Sequence, residues 1–340
     1  MIGAQVGMMT AKSRSAQVST KSSPRCILIS SLRNEGPFLL EWVAYHRAIG
    51  FDNIIIAYND CTDGSAELLT ALADLGWVTP LENRPGDLPP QRAAAEIIAV
   101  SGLLRNDDWV IWLDLDEYLN IHVGDRTVQS LIEHAGDAKC VMVPWRVFGD
   151  SGLAAYPGRT VSEAYTQAAL PNCRAKNELK TLFRYGPHIR NLQIHRPRLA
   201  DGHDWVAADV ITANGRPMNA KSKKNLLWLA GMRLSFSVID RSDFGWVLAQ
   251  INHYCVRSPD VFAMKVKRGR GAVSSSKPRP LRHTQDFYDK MNRNEAEDRS
   301  ILFWQDKVTA IIAMAGDTPA VATALEKIDR HFTETRSERG

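Results

Sequence analysis

The feature that most constrains the fold is an alternation of short apolar strands and amphipathic helices that begins after Pro24. The strands are apolar throughout, as strands buried on both faces are, and the helices carry apolar residues at helical spacing. Strands and helices follow one another through short joints, which predicts an α/β fold with a mostly parallel central sheet flanked by helices. The predicted strands are 26–30, 53–58, 77–81 and 109–115, and the predicted helices are 37–50, 65–76 and 89–104.

The pattern is less regular from about residue 140 onward. Two further strands are predicted at 140–148 and 179–185, and two helices at 300–316 and 318–332 close the chain. Residues 264–283 combine Lys, Arg, Gly, Ser and Pro with little apolar content, which is typical of a mobile loop. We therefore divide the chain into a disordered tail (1–24), a regular half (25–150), a less regular half that contains the basic loop (151–300) and C-terminal helices (301–340).

Composition argues against several classes of protein. The net charge of +4 over 340 residues is too small to indicate a nucleic-acid partner. The five cysteines form no CxxC pair, which argues against a zinc site or a disulfide framework and favours a reducing compartment. No apolar run reaches the roughly 18 residues of a membrane span, and residues 1–25 lack the apolar stretch of a signal peptide. We expect a cytoplasmic protein, with Met8 or Met9 as candidate start residues.

The stretch WVIWLDLDEYL (109–119) ends an apolar strand in three carboxylates, Asp114, Asp116 and Glu117. Residues two apart on a strand point to the same side, so Asp114 and Asp116 are expected to face one way. Two adjacent carboxylates repel each other unless a divalent cation or a shared proton relieves them. Mg²⁺ and Mn²⁺ prefer such oxygen ligands, and ligands bind at the carboxyl ends of parallel strands. The pattern predicts a metal site, with a helix N-cap or an acidic surface turn as the alternative.

Three stretches resemble one family of enzymes: LRNEGPFLLEWVAYHRAIGFDNIIIAYNDCTDGSAELL (32–69), LDLDEYL (113–119) and INHYCVRSPDVFAMKVKRGRG (251–271). Between about Arg25 and Asp298 the chain looks like a GT-A-fold glycosyltransferase of the family 2-like group related to family 92, formerly DUF23. The resemblance implies a Rossmann-like GT-A fold in which residues 25–150 bind the nucleotide-sugar and residues 151–300 receive the acceptor.

The same resemblance implies a reaction. A hexosyl group would move from a nucleotide-sugar donor to a hydroxyl of a glycan, polysaccharide or glycolipid, with inversion at the anomeric carbon. A UDP-sugar is the first expectation for the donor. Its diphosphate would be held by Mn²⁺ or Mg²⁺.

Carried over by position, the resemblance assigns the metal to Asp114, Asp116 and His253, the last of which follows a late apolar strand. Imidazole is a better ligand for Mn²⁺ than for Mg²⁺. Asn59 stands where many relatives have an acidic residue that touches the base, which leaves the base preference open. Asp63 has an alternative role as a helix cap, and Gln91 as part of a helix surface. The predicted donor-binding residues are Ser31, Arg33, Asn34, Glu35, Asn59, Asp63, Gln91, Asp114, Lys265, Arg268 and Arg270.

Basic residues and glycines alternate in the stretch that contains Lys265, Lys267, Arg268 and Arg270. Cations there would stabilise the negative charge that a diphosphate leaving group develops, and a guanidinium binds phosphate through two hydrogen bonds. The alternatives are a solvated loop, or a loop that contacts anionic lipid or nucleic acid. Contact with lipid would place the protein peripherally at the inner membrane face.

An inverting transfer also needs a general base for the acceptor hydroxyl. Relatives place a carboxylate for this purpose between the DxD and the late histidine, but no clear Glu-Asp pair stands there. Asp204 is the first candidate because His203 and Trp205 flank it, and a tryptophan beside a carboxylate suits a sugar site. Glu178 is the second candidate. The remaining candidates are Glu163, Asp201, Asp240 and Asp243.

Two other functions are compatible with the sequence. Haloacid dehalogenase-like phosphohydrolases also end a strand in DxD. Their motif reads DxDxT and lies on the first strand of the fold, whereas here Asp114 and Asp116 come late in the chain and are followed by Glu117. The other is a catalytically inactive glycosyltransferase-like module that binds sugar through some of the nine tryptophans. The presence of the DxD, His253 and the basic residues together favours the active enzyme.

Overall fold

The structure, a computed structural model, describes residues 23–171, 178–231, 240–269, 271 and 282–337. Most of the predicted tail, Cys173 and Arg270 lie outside these residues. The strands are β1 Cys26–Leu32, β2 Asn53–Tyr58, β3 Thr79–Glu82, β4 Trp109–Trp112, β5 Glu117–Ile121, β6 Cys140–Val147, β7 Gln167–Ala168, β8 Leu179–Arg184, β9 Ile189–Asn191, β10 Arg198–Leu199, β11 Val210–Thr212, β12 Ala249–His253 and β13 Ala296–Glu297. The helices are α1 Gly36–Ala48, α2 Ser65–Asp74, α3 Pro90–Val100, α4 Val128–Ala135, α5 Val161–Ala164, α6 Lys223–Leu229, α7 Pro259–Arg268, α8 Gln285–Met291, α9 Gln305–Gly316 and α10 Pro319–Ser337, with 3₁₀ turns at Ala207–Asp209 and Ser300–Trp304.

One large sheet organises the molecule in the strand order β3-β2-β1-β4-β8-β6-β12-β5, with β11 added beside β6. The pairs among β3, β2, β1 and β4 are parallel, as are β6 with β12 and β6 with β11. Strand β8 runs antiparallel to both β4 and β6, and β5 runs antiparallel to β12. The predicted α/β fold with a mostly parallel sheet flanked by helices is confirmed.

Helices cover both faces of the sheet because alternate strand residues point to opposite sides. In β1, Leu28 packs in a core that contains side chains of α1, α2, α4 and α10, whereas Ile27 and Ile29 pack in a second core with α3 and α6. The strands are apolar on both sides for this reason, and the sequence shows continuous rather than alternating apolar runs.

Asp114 and Asp116 lie on a turn between two strands, so the prediction that the strand extends to residue 115 is wrong. Strand β4 ends at Trp112, and β5 begins at Glu117. The backbone N–H of Glu117 donates to the carbonyl of Asp114, and the Glu117 carboxylate accepts from the N–H of Asp114, both at 2.9 Å. These bonds turn the chain away from β1 toward β12, the strand with which β5 pairs.

The predicted basic loop is partly a helix, which corrects its interpretation. Helix α7 ends at Arg268, so residues 264–268 are helical, while 270 and 272–281 lie outside the described residues. Pro259 opens the helix and Asp260 lies in its first turn. Lys265, Lys267 and Arg268 fill its last turn, where cations interact favourably with the helix dipole. The basic residues that suggested a loop therefore stabilise the end of a helix.

The two C-terminal helices are confirmed, and α10 packs at the carboxyl edge of the sheet. The ring of Phe332 lies 6.5 Å from that of Phe38 and 5.7 Å from that of Tyr156. Ile328 lies so close to Gly36 that a Cβ there would come within 2.8 Å of it. Across the part of the chain that the structure describes, no single helix is long and apolar enough to span a membrane. The stretches Ser300–Gly316 and Pro319–Arg336 meet those criteria only as a pair, and the pair is bent by 100°.

Candidate active site

A cavity of about 420 Å³ opens at the carboxyl edge of the sheet, and most of the predicted site residues line it. They come from β1, the loops after β1 and β2, the start of α3, the β4–β5 turn, the residue before β8, the end of β12, and α7. The carboxyl ends of parallel strands meet at this edge, which explains why segments far apart in sequence converge. The predicted residues in its lining are Ser31, Arg33, Glu35, Asn59, Gln91, Asp114, Asp116, Glu178, His253, Lys265 and Arg268.

An adjoining cavity of about 240 Å³ shares part of this lining. Arg33, Glu35, Asp116, Lys265 and Arg268 line both cavities. The two remaining predicted donor residues within the described part of the chain line the adjoining cavity, with residues of α10. They are Asn34 and Asp63.

Asp116 lies between a lysine and a histidine. The Lys265 ammonium donates to Asp116 Oδ2 and, at 2.9 Å, to the carbonyl of Cys255. His253 Nε2 lies 3.8 Å from Asp116 Oδ1. Burial by itself would raise the pKa of the Asp116 carboxyl, but Lys265 and His253 hold that pKa well below its usual range. Asp116 is therefore an ionised carboxylate at neutral pH.

Asp114 is the more exposed of the two motif carboxylates, with 31% of its side chain accessible. Gln91 Nε2 and Trp112 Nε1 both donate to its Oδ1 at 3.3 Å. Lys180 Nζ lies 3.5 Å from its Oδ2. Asp114 thus presents one oxygen to the start of α3 and the other to a buried lysine, at the floor of the main cavity.

Glu117 has a structural role instead of a place in the cavity. Its side chain is completely buried, and its Oε2 lies 2.9 Å from Nζ of Lys180, which is equally buried. Burial alone would lower the pKa of Lys180, but Asp114 and Glu117 outweigh that effect and raise it. Lys180 therefore keeps its charge and compensates the carboxylates beneath the cavity.

The donor atoms suit a divalent cation in chemistry but are not yet arranged around one. Burial lowers the pKa of His253, so its imidazole is neutral as a metal ligand must be. One cation could contact both Asp116 Oδ1 and His253 Nε2 across their 3.8 Å separation. Lys265 already occupies the other oxygen of Asp116, and among the described residues no group of three or more His, Cys, Asp or Glu is placed to hold a metal ion. A cation at Asp116 would therefore lie beside the Lys265 ammonium and compete with it for this carboxylate.

The loop after β1 is tied to α7 and to the loop after β2. Arg268 pairs with Glu35 at 2.9 Å and donates to the carbonyl of Asn34 at 3.3 Å. Asn34 has a positive φ of 50°, and its amide exchanges two hydrogen bonds with Thr62, at 3.1 and 2.8 Å. The predicted donor-binding loop thus has a defined shape that depends on Arg268.

Asn59 and Asp63, which follow β2, differ in how available their side chains are to a ligand. Asn59 is 4% exposed and donates to the Asp60 carboxylate at 2.8 Å while lining the main cavity. Asp63 accepts from the backbone N–H groups of Gly36 and Ser65, each at 2.9 Å. Its two oxygens join the starts of α1 and α2, which agrees with the capping interpretation rather than with donor binding.

The structure separates the two candidate bases. Glu178 lines the main cavity, where the backbone N–H of Trp145 donates to its carbonyl at 2.8 Å. Asp204 is exposed and lines neither of these cavities. The reason for choosing it is wrong, because Trp205 is 3% exposed and stacks on Trp228 at 5.8 Å within the second core.

Sequence reasoning missed three residues of this region. Lys180 is a lysine inside the apolar run LKTLFR, and that pattern could have marked it as a buried cation. Trp145 and His195 line the main cavity, and their rings lie 5.7 Å apart. No spacing in the sequence distinguishes His195, because it lies outside any helix or strand between β9 and β10.

Comparison with known proteins gives one consistent similarity. No family model matches the chain. It is 28% identical over 198 residues to a glycosyltransferase family 92 protein of Ricinus communis, which is 56% of this chain and 34% of that protein. It is 27% identical over 200 residues to a glycosyltransferase family 92 protein of Oryza sativa subsp. japonica, covering 55% and 31%. The chain spans about a third of the length of these curated relatives.

Among solved structures, S. aureus TarS 1-349 aligns with a TM-score of 0.33 and 12% identity over 92% of this chain and 90% of that one. A second TarS structure aligns with a TM-score of 0.29 and 13% identity, over 47% and 28%. Structural likeness at this level carries no functional conclusion. By sequence, the chain is similar over somewhat more than half its length to proteins named glycosyltransferase family 92.

Proposed function

We propose that this protein is an inverting, metal-dependent glycosyltransferase that moves a hexosyl group from a nucleotide-sugar to a hydroxyl of a glycan, polysaccharide or glycolipid. A UDP-sugar is the proposed donor. The observation that carries the proposal is the convergence of the DxD carboxylates, His253, the loop after β1 and the cations of α7 on one cavity. The similarity to family 92 proteins supports the same conclusion.

The nucleoside end of the donor would lie at the β1–β2 side of the cavity. Ser31 and Asn59 line that side, and an amide both donates and accepts hydrogen bonds at a base edge. Gln91, at the start of α3, already contacts Asp114 and lies between this side and the carboxylates. The diphosphate would then lie above the β4–β5 turn.

A divalent cation, Mn²⁺ in preference to Mg²⁺ because of the imidazole, would be held by Asp116 and His253, with Asp114 in the same lining. When bound, it would neutralise charge on the diphosphate. Lys265 and Arg268 now pair with Asp116 and Glu35. With a donor present they can exchange those carboxylates for phosphate oxygens and stabilise the leaving group.

We also propose a setting for the reaction. The protein would act in the cytoplasm and meet a lipid-linked acceptor at the inner membrane face, with Lys267 and its basic neighbours near anionic headgroups. Sedimentation with anionic and neutral vesicles at low and high salt tests this. Binding to anionic vesicles that salt reverses is expected, and failure to bind them at any salt concentration would contradict it.

Thermal unfolding with nucleotides tests the function itself. UDP, GDP and their hexose conjugates would each be added with Mn²⁺ and with EDTA. Stabilisation by one nucleotide series that EDTA abolishes is expected, because a ligand that binds the folded state raises its melting temperature. No shift with any nucleotide, together with release of phosphate from small phosphomonoesters, would favour a haloacid dehalogenase-like phosphohydrolase. Metal-dependent binding without turnover over a broad acceptor panel would favour an inactive sugar-binding module.

A further inference from the structure

The main cavity contains a polar group that none of the roles above uses, the imidazole of His195. This residue lies between β9 and β10 and lines the cavity with Asp114 and Glu178. Its Nδ1 lies 3.0 Å from the carbonyl oxygen of Leu179, the first residue of β8. A carbonyl only accepts hydrogen bonds, so Nδ1 carries the proton of the neutral ring and Nε2 carries the lone pair.

The Nε2 atom of His195 is open to the cavity. It makes no hydrogen bond within the described part of the chain. This atom is not buried, whereas the Nε2 atoms of His122 and His188 are buried and have no hydrogen-bond partner. A hydroxyl group in the cavity can therefore donate a hydrogen bond to it.

The position of the ring is fixed by its neighbours. The adjacent Arg196 is 2% exposed and donates to the carbonyls of Trp228 and Leu229. The His195 ring lies 5.7 Å from that of Trp145, and the Trp145 ring lies 4.0 Å from that of His253. The open nitrogen is thus held one aromatic ring away from a predicted metal ligand.

Burial and one neighbouring cation keep the ring of His195 neutral. Burial and the Lys180 ammonium lower the pKa of His195 to about 4, against the opposing effect of the Glu178 and Asp114 carboxylates. A neutral ring of this basicity is comparable to an aspartate or glutamate as a proton acceptor.

We infer that His195 is the general base of the proposed transfer, which makes the inference dependent on the proposed function. Nε2 takes the proton of the acceptor hydroxyl while the hydroxyl oxygen bonds to the anomeric carbon. The bond from that carbon to the diphosphate oxygen breaks, and its electron pair leaves with the nucleoside diphosphate. The imidazolium then returns the proton to solvent. The sequence favoured a carboxylate for this step, but Asp204 does not line the cavity and Glu178 is only 8% exposed.

The test is turnover of UDP-glucose, UDP-galactose, UDP-N-acetylglucosamine and GDP-mannose with Mn²⁺ and water as the acceptor. In His195→Ala we expect kcat to fall about a hundredfold or more, with KM changed less than about threefold, because the base acts only in the transition state. Added imidazole should restore a substantial part of the lost rate. In His195→Gln, which keeps a polar side chain without its basicity, the loss should be similar.

His203→Ala is the matched control, because this exposed histidine lines neither cavity and should keep full turnover. Nucleotide-induced thermal shifts of the His195 variants should equal those of the unaltered protein, which shows that they fold and bind donor. Loss of turnover in Glu178→Gln with normal turnover in His195→Ala would overturn the inference, and so would a loss in His195→Ala that imidazole does not restore. If the unaltered protein neither binds nor turns over any nucleotide-sugar, the proposed function itself fails.

Discussion

Two lysine–carboxylate pairs on either side of the β4–β5 turn have the same chemistry and different surroundings. Lys180 and Glu117 are both completely buried, 2.9 Å apart. Lys265 and Asp116 lie at the cavity, with 17% and 13% of their side chains exposed. A buried pair cannot separate without leaving a charge in the core, whereas a pair at a cavity can exchange partners with a ligand. The comparison suggests that, within one motif, Glu117 stabilises the fold whereas Asp116 is available to bind a ligand.

The largest effect is expected from removal of the buried lysine. Lys180→Met leaves Glu117 without its partner, so the free energy of unfolding should fall by about 3–5 kcal/mol. Urea unfolding at pH 7 measures the change. In the double variant with Glu117→Gln no unpaired charge is left in the core, because Asp114 is partly exposed, and most of the loss should be recovered. A loss below about 1 kcal/mol in Lys180→Met would show that the pair is not structural.

Removal of Asp116 or His253 should impair ligand binding and leave the fold intact. Asp116→Ala and His253→Ala should stay folded and lose metal-dependent nucleotide binding by about a hundredfold or more, because predicted metal ligands are removed. Calorimetric titration of UDP in the presence of Mn²⁺ measures this. Glu117→Gln is the matched control, since it should weaken the fold while nucleotide affinity changes little. Full binding in both Asp116→Ala and His253→Ala would contradict the metal assignment.

A smaller effect is expected from the lysine at the cavity. Lys265→Met frees Asp116 of its competing cation, so Mn²⁺ alone should bind more tightly than to the unaltered protein. UDP with Mn²⁺ should bind about tenfold more weakly, because one phosphate-binding cation is lost. Titrations of metal and nucleotide separate the two effects, with Lys290→Met on the exposed face of α8 as the control. Weaker binding of Mn²⁺ alone would show that Lys265 does not compete with the metal.

The smallest effect concerns pH and the same Asp116–Lys265 pair without metal. The pKa of Asp116 is held well below its unfolded value, so its stabilising contribution is present above the unfolded pKa and is lost as pH falls through the folded one. In EDTA, Asp116→Asn should be less stable than the unaltered protein by about 1 kcal/mol at pH 7. That difference should hold down to about pH 5 and shrink at lower pH. Urea unfolding at each pH checks this. A difference in stability that grows on acidification would contradict the prediction.

The first half of the chain was predictable because its elements are local. Strands β1, β2, β3 and β4 and helices α1, α2 and α3 lie within a few residues of their predicted ranges. Each carries its own signal in apolar runs, proline starts and glycine ends. Strands β5 and β11 and helix α7 were not predicted. The two strands depend on distant partners, because β5 pairs with β12 and β11 pairs with β6.

The candidate site shows the same division. The DxD, the loop after β1, His253 and the cations could be named from sequence, and the structure brings them to one cavity. Asp204 was chosen for the tryptophan beside it, but whether a tryptophan faces a cavity or a core depends on packing, and Trp205 is in the core. His195 could not be named, because its importance comes from a hydrogen bond to Leu179 and from which nitrogen remains open.

The sequence by itself determined the α/β alternation and the chemical groups available at the strand ends, because periodicity and residue type are properties of neighbouring positions. The tertiary structure alone decided how those groups are paired. It placed Lys180 under Glu117 and Lys265 against Asp116, and it turned His195 toward the cavity. Burial, charge compensation and the choice of hydrogen-bond partner are set by residues distant in sequence, and these quantities determine which carboxylate supports the fold and which is available to a ligand.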